Sequence, residues 1–131
     1  MKRLADMLAS ALPHHRDDWR VQGSSVEVTL GAQVRRHRVH FARRGEEYVF
    51  TSLVTNVRRS GARRCERALL AWRRNASQDL VTFGIDAHDR LIGQIVHRAD
   101  TLDPSELGFL ITTLARECDS LEYYLTGHDM R

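Results

Sequence analysis

The hydrophobic period of this chain changes four times along its length, and the order of those changes constrains the fold more tightly than any motif. Leu4, Met7, Leu8 and Leu12 recur at helical spacing. The stretches "VEVTL", "QVRRHRVHF" and "EYVFTSLVTNV" then alternate with a period of two, or run apolar on both faces, as strands do. The helical period returns from Ala62 to Ala76 through Cys65, Ala68, Leu69 and Trp72. It gives way to "DLVTFGID" and "RLIGQIV" and resumes after Pro104. The predicted order is α-βββ-α-ββ-α. Short connections between consecutive strands imply antiparallel pairing, so the expectation is an α+β fold: a five-stranded, mainly antiparallel sheet with helices packed on one face.

Local signals place the boundaries. Pro13 should stop the first helix and leave "HHRDD" as a polar connector. Gly31-Ala32 has the glycine-first pattern of a two-residue hairpin, and "ARRGEE" makes a second turn. In "DPSE", Asp103 is the N-cap, Pro104 takes the first helical position, and Glu106 completes a pattern like a capping box. Leu107, Leu110, Ile111, Leu114, Cys118, Leu121 and Leu125 then form one stripe that Gly127 ends. Arg116, Glu117, Asp119 and Glu122 fall on the side expected to face solvent or an interface.

The 131 residues read as one domain spanning 1–131, long enough to bury a core. No apolar run approaches the ~20 residues of a membrane span. "MKRLADMLASAL" carries Asp6 and no clear cleavage site, so it reads as an amphipathic helix rather than a signal peptide. Cys65 and Cys118 belong to no CxxC pattern, which points to a reducing bacterial cytoplasm. Charge is strongly asymmetric. Residues 33–76 hold twelve arginines against three acids, whereas residues 77–131 hold ten acids against four arginines. Such asymmetry marks a nucleic-acid face or a polar interface.

No enzyme class finds a site. Cys118 lies on the apolar stripe and reads as a small core hydrophobe, with Cys65 similar. His37 and His40 project to opposite faces of a strand, and the other histidines lack ligands at useful spacing, so no metal site is expected. Phosphate loops and GxSxG are absent, and Asp86 and Asp89 read as turn formers. Neither catalytic residues nor a cofactor are expected. What remains is apolar surface on the third strand and middle helix, together with the arginine pairs.

The element order resembles the fold shared by type III secretion chaperones and the YbjN family. Similarity is clearest over "LVTFGIDAHDRLIGQIVHRADTLDPSELGFLITTLARECDSLEYYL", where strand, acidic turn, strand and "DPSEL" helix start follow the YbjN-like pattern. The resemblance implies a small, non-enzymatic, usually dimeric protein that holds an extended segment of a partner. Such chaperones are typically acidic, whereas this chain is basic through its middle, which suits a YbjN-like adaptor or a chaperone for an acidic client.

The sequence therefore predicts a cytoplasmic, homodimeric, chaperone- or adaptor-like protein-binding module with no membrane segment. Arg36, Arg38, Tyr48, Phe50 and Val54 are the expected partner contacts, and Leu69 and Trp72 the expected dimer interface. The alternative is a nucleic-acid-binding accessory domain using the arginine-rich face.

Overall fold

A computed structural model describes residues 2–15, 18–31, 35–56 and 80–126. Helix α1 (Lys2–His15) leads into strands β1 (Trp19–Gln22), β2 (Ser25–Leu30), β3 (Arg35–Arg44) and β4 (Glu47–Asn56). Strands β5 (Thr82–Ile85) and β6 (Arg90–Arg98) and helix α2 (Pro104–Thr126) complete the described chain. The helix expected over 62–76 lies outside the described residues, and with it Cys65, Leu69 and Trp72.

Among the described residues the sheet has six strands rather than the expected five, in the order β1-β2-β3-β4-β6-β5. Every neighbouring pair is antiparallel. The additional strand is β1, which directly follows the presumed connector. Only Trp19 of its four residues is buried, so it carries no period-two signal. Its backbone pairs with β2 from Trp19↔Val28 to Gln22↔Ser25. The Trp19 ring also stacks on His15, with centroids 4.2 Å apart. Helix α1 runs through Pro13 to His15, because a proline in the last turn forfeits little more than one intrahelical hydrogen bond.

Two hairpins use glycine as the sequence logic requires, one at the expected "ARRGEE" turn and one, at Gly23, where none was expected. Gln22 pairs with Ser25 and Arg44 with Glu47. Each pair encloses a two-residue loop whose first residue is a glycine with positive φ, Gly23 at +56° and Gly45 at +62°. The β2–β3 connection is longer than the expected two residues, since Leu30 pairs with Arg35. Between β5 and β6, Asp86 Oδ1 accepts the backbone N–H groups of His88 and Arg90, both at 2.9 Å. Asp89 adopts φ 56°. Both acids are thus turn formers, as expected.

The start of α2 is built as its sequence specifies. Asp103 Oδ1 accepts the Glu106 N–H at 2.8 Å. The Glu106 carboxylate does not turn back to the cap; it accepts from His97 Nε2 at 3.1 Å and ties the first turn of α2 to β6. From Leu107 to Leu121 the apolar stripe is buried, Cys118 included. It lies across β2, β3, β4 and β6, with α1 packed against it. Arg3 donates to the carbonyls of Ala99 and Leu102, which fastens α1 to the β6–α2 connection. Among the described residues, no helix is long and apolar enough to cross a membrane.

Candidate functional site

Strict alternation sorts the strand side chains onto two faces. Toward α2 point His37, Val39 and Phe41 from β3, Tyr48, Phe50 and Ser52 from β4, and Leu91 and Ile95 from β6, all buried. The other face carries Arg36, Arg38, His40 and Ala42 from β3, and Val49, Thr51 and Leu53 from β4. The expected partner contacts therefore divide. Arg36 is exposed and Arg38 half-buried on this second face, which is open among the described residues. Tyr48, Phe50 and Val54 are each 0% exposed, inside the core, and present no surface. The Arg43 guanidinium lies 5.2 Å from the Tyr48 ring centroid, while Phe41 and Phe50 meet edge to face at 6.3 Å.

The apolar surface that β4 does offer is the complementary set. Register places Val49 opposite Val96 and Leu53 opposite Ile92. Leu53 and Ile92 are half-buried, and Val96 is exposed. The sequence signal for these residues was present, since β4 reads as apolar on both faces. It did not say which face the helices take.

Leu53 and Ile92 floor a shallow depression of about 320 Å³ that Arg38, His40 and Arg90 rim. Asp86 lines the same depression and accepts from Arg90 Nε through Oδ2 at 2.8 Å, so the rim sets two guanidiniums beside one carboxylate. Burial and then the nearby Arg38 and Arg90 guanidiniums push the His40 imidazole below its ordinary value. The folded state thus binds fewer protons at His40 than the unfolded chain does, so stability falls as pH drops through about 6.5. His40→Gln should flatten that part of the pH dependence; urea midpoints measured between pH 5 and pH 7 for both chains provide the check. Arg38 is itself held by Gln22 Oε1 at 2.8 Å, Ser25 Oγ at 3.0 Å and Glu27 Oε2 at 3.2 Å. Its guanidinium is therefore positioned before any partner arrives.

A second polar constellation lies on the inner face, where solvated side chains were expected. Asp119 and Glu122 are buried, at 8% and 3% exposure. Asp119 accepts Arg35 Nε through Oδ2 at 3.0 Å and His37 Nε2 through Oδ1 at 3.1 Å. Glu122 Oε1 stands 3.7 Å from the same His37 nitrogen. Helical spacing alone assigned the two acids to the outside, because their partner comes from a strand more than eighty residues earlier. Cys118, buried on the same helix, donates to the Ser52 carbonyl 3.7 Å away. A buried thiol with that neighbour is a packing group.

No protein-family profile matches the sequence, and no curated protein matches it. Solved structures match the fold. A chain of the ExsC–ExsE complex superposes with a TM-score of 0.66 at 12% identity, covering 95% of this chain and 94% of that one. This is a secretion-chaperone-like fold. The type III secretion chaperone SycH of Yersinia pestis, solved with a stable fragment of YscM2, gives 0.57 at 16% identity over 88% of this chain and 97% of that one. YbjN of E. coli, described as a putative transcription regulator, gives 0.59 at 11% identity over 94% and 89%. The resemblance anticipated from the "DPSEL" helix and the strands before it thus holds at the level of fold.

Proposed function

We propose that this chain is a non-enzymatic protein-binding module, chaperone- or adaptor-like, that holds an extended acidic segment of a partner on its open sheet face. The observation that carries the reading is the pairing of an apolar floor, Leu53 and Ile92, with a polar rim in which the Arg38 and Arg90 guanidiniums and the His40 ring stand beside a single carboxylate, Asp86. An extended segment presents alternate side chains to one face, so apolar groups settle on the floor while carboxylates meet the rim. Arg36, exposed beside this rim, extends the charge along β3. Similar structures include a chaperone bound to a fragment of another protein and a chaperone–effector complex, HopA1–SchA, which supports protein as the partner class. We also assign the chain a homodimer formed through Leu69 and Trp72. Light scattering at micromolar concentration tests it, and a monomer would remove it.

The binding test uses two labelled synthetic peptides, one alternating Leu with Glu and one alternating Leu with Lys. The first should bind in fluorescence anisotropy and the second should not. Leu53→Asp, on the open face, should weaken binding at least about tenfold, since it places a carboxylate against the acidic segment and removes the apolar floor. Equal binding of both peptides, or an unaffected Leu53→Asp chain, overturns the reading. Nucleic acid is the less favoured ligand. The aromatic rings of β4 are buried rather than available for base stacking. A mobility shift of single-stranded DNA that weakens steeply with salt would reverse that preference.

A further inference from the structure

The strongest unassigned chemistry lies on the other side of the sheet, where β3 meets α2. We propose that His37, Asp119 and Glu122 bind a first-row divalent cation of the zinc type, which clamps α2 to the sheet. Three observations carry this. The first is composition: one imidazole and two carboxylates supply the nitrogen and oxygen donors such ions take, and all three residues are buried.

The second is geometry. Metal–ligand bonds of about 2.0–2.1 Å arranged tetrahedrally place neighbouring donor atoms about 3.3–3.4 Å apart. His37 Nε2 lies 3.1 Å from Asp119 Oδ1 and 3.7 Å from Glu122 Oε1, distances that bracket this edge. The three donor atoms all fall within 4.8 Å of one another. Both carboxylates converge on a single ring nitrogen, which puts all three donor atoms around one point where a cation can meet them together. Asp119 and Glu122 are three residues apart on α2 and so share a face, and His37 faces them from β3.

The third is support and access. Arg35 occupies the outer oxygen of Asp119, fixing the carboxylate plane and leaving Oδ1 toward His37. Arg35 and Asp119 also line an open groove of about 490 Å³ running between the end of α1, β2 and α2. An ion reaches the site through it and completes its coordination with water. Ligation through Nε2 replaces the His37–Asp119 hydrogen bond with metal–ligand bonds and leaves the ring neutral with its proton on Nδ1: an imidazolium releases its Nε2 proton to solvent, and a neutral Nε2–H ring exchanges it through solvent for one on Nδ1.

The test uses the full chain stripped with EDTA and then dialysed free of it. Titration with Co²⁺ should give visible d–d absorption that saturates at one ion per chain, and Zn²⁺ should displace it. Added Zn²⁺ should raise the melting temperature, and EDTA should reverse the rise. Glu122→Gln and Asp119→Asn, near-isosteric changes, should each weaken Co²⁺ binding at least about tenfold. A His14→Ala/His15→Ala chain, altered outside the site, should bind as before. Absence of Co²⁺ or Zn²⁺ binding by the unmodified chain at about 100 μM overturns the proposal and leaves an ion-pair cluster only. So does binding that follows His14 and His15, or that folded Glu122→Gln retains in full. The acidic-peptide test on the opposite face is independent of either result.

Discussion

Asp119→Ala should destabilise the metal-free fold by about 3 kcal/mol, read as a lower urea midpoint at unchanged slope. The side chain is the shared acceptor of Arg35 and His37. Its removal leaves a guanidinium and an imidazole inside the β3–α2 contact without it. Breaking a buried pair by deleting one partner costs about 3–5 kcal/mol, because the remaining group keeps its desolvation penalty. Two features place this case at the lower end. Arg35 retains 29% side-chain exposure, so water screens part of the loss, and Glu122 stands 3.7 Å from His37. Asp119→Asn should cost less, since its amide oxygen still accepts one hydrogen bond. The control is Arg98, whose pair with Asp100 is exposed on both sides. Arg98→Ala should leave the midpoint where it is. If Asp119→Ala behaves like that control, the buried cluster contributes nothing net to stability.

What could be read from the sequence, and what could not, follows from the range of each interaction. Short-range signals were legible. Asp103 caps α2, Asp86 and Asp89 turn the β5–β6 hairpin, and the stripe from Leu107 to Leu121 is buried. In each case the deciding partner lies within a few residues. Strand β1 was missed because its pairing with β2 is a backbone matter, and four residues with one buried side chain leave no periodic trace. The inner and outer faces of β4 were exchanged for a related reason. Tyr48 and Phe50 share a face by period, but only the position of α2 decides that this face is the core. The chosen partner contacts thus included three core residues, while Leu53, Val49 and Ile92 went unnamed. The His37–Asp119–Glu122 cluster was invisible for the strongest reason of all. Its members look like separate surface charges until β3 and α2 come together.

Gly93→Ala should also be costly, by about 1–3 kcal/mol as overpacking, although the substitution adds a single methyl group to a strand. At this position in β6 a Cβ would stand 2.6 Å from Cys118 Sγ, 3.2 Å from Leu114 Cδ1 and 3.2 Å from Phe83 Cε1. The first distance is shorter than two such atoms tolerate, and the group in the way is a short side chain on a helix, not a flexible tip. Either α2 lifts from the sheet or Cys118 leaves its rotamer, and both disturb the stripe that holds the helix down. The cause is local enough to isolate. Cys118→Ala removes the sulfur, leaving the two 3.2 Å contacts to relax by a few tenths of an ångström. The Gly93→Ala/Cys118→Ala chain should therefore be more stable than the sum of the single changes predicts, with a coupling of about 1 kcal/mol or more. Additive losses would mean that the glycine is required by the strand's backbone rather than by the close approach of the helix. Gly84, which also lies within a strand, has nothing within 4 Å of an added Cβ and provides the comparison. Gly84→Ala should leave the melting temperature unchanged or raise it slightly. The difference between two glycines on adjacent strands is then a direct measure of how closely α2 seats on the sheet at Cys118.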